Sequence, residues 1–125
     1  MSANTEEFLR FVLDQMKEVE ALACGRFFGG NGVASEAVQF AMAFGNTLYF
    51  VVDDTTRPKY EEEGSECFSY RTSEREVMVR RYYEVPAMAL ENRDILIEWA
   101  REAIAIAKRT HKKSRANARS KRRAK

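Results

Sequence analysis

The residues whose types and spacing could do chemistry are few. Gly29-Gly30-Asn31-Gly32 follow Arg26-Phe27-Phe28, and such a run either cradles a phosphate or turns the backbone. A phosphate loop feeds its glycines straight into a helix N-terminus and places a Lys and a Ser or Thr beside them. Here no such Lys-Ser/Thr pair follows. Val38, Phe40, Met42 and Phe44 instead alternate with Ala37, Gln39, Ala41 and Ala43, which is the period of a strand. All four residues from Gly29 to Gly32 tolerate positive φ, so they read as a structural turn joining two strands.

The remaining candidates are Cys24, Cys67 and the single His111. A zinc site draws three or four N or S ligands from close-spaced pairs, so no metal is expected and the thiols read as reduced and partly buried. One histidine in a basic stretch does not make a nucleophile–histidine–acid arrangement. The sequence therefore points to a protein that is not an enzyme, with no catalytic, cofactor-binding or metal-binding residue. Any hidden chemistry would fall to Arg26, Arg80, Arg81 and Glu84, for which charge pairing across strands is the simpler reading.

Charge is unevenly spread. Ten of the 21 Lys and Arg lie in residues 108–125, where there is no acid; the other 11 share residues 1–107 with all 19 acids, a net −8. The basic stretch includes Lys112, Lys113, Arg115, Arg119, Lys121, Arg122, Arg123 and Lys125. These eight are the candidate contacts for nucleic acid, by counterion release and without base reading, since no aromatic interleaves them. Residues 109–125 are expected to be a disordered basic tail, because residues 112–125 hold no large apolar side chain. The acidic N-terminus lacks the order of a signal peptide and no apolar run is long enough to span a membrane, so a cytoplasmic protein without membrane contact is expected.

The elements that must carry these residues follow from periodicity. Asn4 and Glu7 make a capping box for an amphipathic helix over 5–20, with Phe8, Leu9, Val12, Leu13, Met16 and Val19 on one face. Strands follow on each side of the glycine turn and again after Gly45-Asn46. A short helix with Pro58 in its first turn and Gly64 at its exit comes next. A hairpin ends at Pro86, and Asn92 caps a last helix whose apolar stripe runs from Ile95 to Ala107. Ile97 and Ile104 widen that stripe beyond one face, which suggests a homodimer that covers the surplus. Hairpin-length turns make the sheet antiparallel, one face against helices and the other more polar. The class is α+β, with order α-β(3)-α-β(2)-α and five strands.

Read in order, RFFGGNG, LYFVVDD, YEEEGSECFSY, YYEVP and Trp99-Ala100 resemble the N-terminal domain of the TfoX/Sxy family, regulators of bacterial competence genes. Phe27 stands where that family usually has Met, and Tyr83 where it has Trp. The resemblance covers about residues 5–108, so residues 1–108 are taken as the domain, standing alone without the family's C-terminal helical domain. It implies a fold similar to type III secretion chaperones and a non-enzymatic regulatory role exercised through a protein partner. Weak nucleic-acid contact through the tail is the alternative.

Overall fold

The computed structural model describes residues 4–123, with side chains described to Lys112. Helix α1 (Glu6–Gln15) leads into four consecutive strands, β1 (Leu22–Phe27), β2 (Gly30–Ser35), β3 (Val38–Phe44) and β4 (Thr47–Val51). Helix α2 (Arg57–Glu62), strands β5 (Cys67–Arg71) and β6 (Glu76–Glu84), the single turn α3 (Ala87–Leu90) and helix α4 (Arg93–Arg123) complete the chain. The six strands form one antiparallel sheet in the order β1-β2-β3-β4-β6-β5.

The expected count of five strands is corrected to six. Val33–Phe44 is not one strand but two, because the chain reverses at Glu36-Ala37. Both of these residues hold positive φ, 49° and 67°. Each of the first three hairpins turns on two residues of positive φ: Phe28-Gly29, Glu36-Ala37 and Gly45-Asn46, the geometry that matches the twist of the flanking strands. Glu36 and Ala37 each pay roughly 1–2 kcal/mol for a conformation that suits glycine. Their surroundings hold them there. The Ser35 hydroxyl donates to the Glu20 carbonyl at 2.7 Å, the Glu36 N–H donates to the Ala21 carbonyl, and Lys108 pairs with the Glu36 carboxylate at 2.9 Å.

The glycine run is corrected as well. Only Phe28 and Gly29 turn; Gly30, Asn31 and Gly32 lie within β2. Gly30 and Gly32 are there for space. A Cβ on Gly30 would sit 2.7 Å from Cδ1 of Phe44 and against the Ala43 carbonyl, and one on Gly32 would sit 2.9 Å from Cδ of Gln39.

Helix α1 is shorter than expected and is capped by Thr5, whose hydroxyl accepts the Phe8 N–H at 3.1 Å. Asn4 has another task. Its side-chain amide donates to the Ala43 carbonyl and to Asn31, while its oxygen accepts the Asn46 N–H, so the start of α1 is tied to two hairpins. The core lies between the sheet and α1 with α4: Val12 and Met16 meet Leu96, Trp99, Ala100 and Ala103 over Val33, Ala41, Leu48 and Phe50. Ile97 and Ile104 are both buried within the protomer, which removes the reason for expecting a dimer through α4. Helix α4 continues unbroken to Arg123, past the change of composition at 108 and through the stretch read as disordered; Ala, Arg and Lys, which dominate there, are good helix formers.

Candidate functional site

Two irregularities in the ladder build the site. In β2–β3, Val33 pairs with Ala41 and Ala34 with Gln39, leaving Phe40 as an extra residue. A bulge of this kind reverses the phase of the strand. Phe40 and Ala41 therefore both reach the helix side, while Met42 and Phe44 turn to the opposite face. In β5–β6, Cys67 pairs with Tyr83 but Phe68 with Val79, so three β6 residues are skipped. β4 pairs with β6 over Tyr82–Glu84, whereas β5 pairs with it over Glu76–Val79 and meets the Glu84 end at Cys67 and Tyr83 alone, and the sheet curls between them.

The curl lays β5 over the outer face. Strands β3 and β5 are not neighbours, yet the Phe44 and Phe68 rings lie 5.0 Å apart, with Tyr49 edge-on to Phe68 at 5.2 Å. Phe27 reaches Phe44 at 6.4 Å from the first hairpin, and Phe28 meets Phe27 at 4.7 Å. Edge-on and tilted pairs of this kind add to the area they bury. Beneath them Met42 is 2% exposed. The outer face, expected to be the more polar, is thus a second apolar cluster.

This cluster is open on one side. Phe27, Phe28, Phe44, Phe68, Ser69, Tyr70 and Arg71 line a groove of about 590 Å³. Phe28 is 86% exposed at its rim, too large an apolar surface to leave without a reason once it joins a contiguous patch. Arg71 forms no ion pair among the described residues. Four phenylalanines make most of the lining, which suits the groove to take up an apolar group.

The other charged groups lie elsewhere, and several are used structurally. Lys59 on α2 pairs with Glu102 at 2.7 Å and lies 4.2 Å above the Trp99 ring. The Tyr83 hydroxyl donates to Glu61 at 2.9 Å. Tyr60 is buried, which raises its pKa well above the ordinary value, and its hydroxyl has no hydrogen-bond partner among the described residues. Burial alone would raise the Asp53 pKa. The Thr56 and Thr55 N–H groups, the Thr56 hydroxyl and Arg109 outweigh that and lower it.

The residues singled out from sequence do not converge. Arg26 and Arg80 are exposed, Arg81 reaches Thr110, and Glu84 is exposed beside Tyr49. Cys24, expected to be partly buried, is exposed on β1, and Cys67 is half-buried; both are free. His111 and Lys112 are exposed. The side chains of Lys113, Arg115, Arg119, Lys121, Arg122, Arg123 and Lys125 lie outside the described residues. At the base of that stretch, Lys108 and Arg109 are engaged with Glu36 and Asp53 at 2.9 and 3.1 Å. Among the described residues no three His, Cys, Asp or Glu gather as a metal site, and no helix is long and apolar enough to cross a membrane.

The groove aromatics were missed as a site. Their signal was the pair Phe27-Phe28 at a turn, since adjacent strand residues face opposite ways and both cannot enter one core. Phe68 and Tyr70, spaced by two on an edge strand, gave the same sign.

No curated protein matches the chain significantly. The family model of the TfoX N-terminal domain matches residues 14–107, from within α1 to the last core residue of α4, and the chain belongs to that family.

Proposed function

We propose that the protein is a non-enzymatic regulatory module that acts by holding another protein, in the manner expected of a TfoX-type regulator of transcription and competence. The observation that carries this reading is the outer aromatic groove with Phe28 exposed at its rim. Apolar surface gathered in one concave place is what a partner covers. The family supports the regulatory part, and the curled sheet over two helices is compatible with the chaperone-like fold that the resemblance implies.

The test compares the full chain with Phe28→Ser and with a chain ending at Ala107, each used to capture proteins from cells that carry the gene. Phe28 is too exposed for its replacement to cost much stability. Loss of a captured protein with Phe28→Ser, and its retention on the truncated chain, is the expected result. The same proteins retained by all three would remove the groove from the reading. Unaltered competence-gene transcripts on deleting the gene would remove the regulatory role.

A further inference from the structure

The groove runs along an edge of the sheet, and the edge decides what kind of segment fits. Its wall is made by four consecutive residues of β5, Phe68, Ser69, Tyr70 and Arg71. Consecutive strand residues face opposite ways, so all four can line one groove only if it follows the side of the strand. β5 is the terminal strand and pairs with β6 alone.

The free backbone groups can be assigned. The Thr72 N–H donates to the Arg75 carbonyl at 2.8 Å, which makes Thr72 and Arg75 a hydrogen-bonded pair at the hairpin's end. Residues along an antiparallel strand alternate between bonding their neighbour and facing away. With Tyr70 opposite Val77 and Phe68 opposite Val79, those two bond β6. Ser69 and Arg71 therefore turn their N–H and C=O groups to the open side. Beside these groups lies the apolar groove, closed across from β5 by Phe27 and Phe28.

We propose that this edge takes an extended peptide segment as a seventh strand, bonded to the backbone of Ser69 and Arg71, with a large apolar side chain of the segment set between Phe28, Phe44 and Phe68. Backbone bonds supply the docking and the pocket supplies the choice of side chain. The neighbouring residue of the segment falls on the Arg71 side, where an acid meets a guanidinium that has no ion partner among the described residues; Glu76 stands opposite Arg71 on β6. The preferred segment thus carries a large apolar residue next to an acidic one, with apolar residues at every second position. The proposal rests on the reading of the protein as an interaction module and names its partner's binding segment.

Selection of a displayed library of random heptapeptides on the full chain tests it, followed by anisotropy measurements with a fluorescein-labelled copy of the enriched peptide. Ser69→Pro removes one outward N–H while leaving the β6 ladder its bonds, a position where an edge strand accepts proline. Ser69→Ala keeps the N–H and controls for the hydroxyl. Enrichment of alternating apolar peptides is expected, with binding weakened at least tenfold by Ser69→Pro, by Phe28→Ser and by N-methylation of alternate peptide residues, and unchanged by Ser69→Ala. Melting temperatures confirm that each variant is folded. No enrichment, or equal binding by Ser69→Pro and by the N-methylated probe, overturns the proposal. Dimerisation in sedimentation that Ser69→Pro abolishes also overturns it, since the edge then belongs to a second copy of the chain. Cellular capture lost with Phe28→Ser but kept with Ser69→Pro ends the strand-addition proposal and leaves the interaction module standing.

Discussion

Replacing Gly30, Gly32 and Gly29 one at a time by alanine separates three reasons for a glycine. Alanine at Gly30 drives its Cβ against the Ala43 carbonyl and to 2.7 and 2.9 Å from two carbons of the Phe44 ring. Backbone cannot give way as a side chain can, so β2 must move from β3 and Phe44 must leave the aromatic cluster. That is overpacking at the upper end of its usual range, about 3 kcal/mol. At Gly29, φ is 83° and nothing lies within 4 Å of the added carbon. The left-handed conformation costs roughly 1–2 kcal/mol, and the stiffer unfolded chain returns about 0.4–1, which leaves about 1 kcal/mol. At Gly32 the obstacle is the Gln39 amide, which can swing away at the loss of its 3.3 Å bond to the Tyr82 hydroxyl. That partly buried bond is worth roughly 0.5–1 kcal/mol, and alanine gains about as much over glycine within a strand, so the net change is near zero. Urea midpoints at unchanged m give the three values directly. Gly30→Ala as stable as Gly32→Ala would refute the packing argument, and Gly29→Ala as the most damaging would restore the whole run as a turn.

Met42→Ala should cost about 2–5 kcal/mol, as a fully buried core truncation does, because the residue is 2% exposed and stands opposite Tyr49 in the ladder; a urea midpoint that hardly moves would mean that the outer cluster is not a core. Asp53→Ala removes the acceptor of the Thr55 and Thr56 N–H groups and the partner of Arg109, at about 1 kcal/mol near neutral pH by analogy with a lost cap. Since folding lowers the Asp53 pKa from its ordinary 3.8, that stability is complete above this value and is lost as the pH falls through the folded value; a gap in melting temperature between the two proteins that widens on acidification would contradict the sign. For the basic stretch, filter binding to DNA by the full chain but not by a chain ending at Ala107 should show log K falling against log salt with a slope of about −4 to −7 if five to eight cations meet phosphates. Binding that is absent, or equal in the two, leaves the stretch without a nucleic-acid role.

What could be read from the sequence was whatever local chemistry alone decides. Gly64 ends α2 at φ 82°, and the Asn92 side chain accepts the Ile95 N–H at the start of α4, both as expected. Pro58 lies in the first turn of α2. The stripe of α4 was legible because one period holds from Ile95 to Ala107. The turn at Glu36-Ala37 was not, since neither residue carries a turn signal and the contacts that hold it come from Glu20, Ala21 and Lys108. The bulge at Phe40 was hidden for the same reason: apolar residues lie on both sides of it, so the alternation looks unbroken. Read without the bulge, Phe40, Met42 and Phe44 share one face, and the outer groove cannot be seen. Thr5 displaced Asn4 as cap because Asn4 bonds residues that only the folded sheet brings near.

The chain's pairing order also sets how it should come apart. Strands β1 to β4 meet through three two-residue turns, so closing each hairpin costs little loop entropy. β4 meets β6 only after α2 and β5 have intervened, at Phe50 with Tyr83. Folding should therefore begin in the meander and finish with the β5–β6 hairpin swinging over it. In native-state amide exchange the amides of β3 and β4, enclosed by a core on each face, should be the last to take up deuterium, and those of the terminal strands β1 and β5 should open first. The strand that borders the groove is thus one of the two most readily lifted, and a molecule that fills the groove should slow exchange there while leaving the middle of the sheet unchanged.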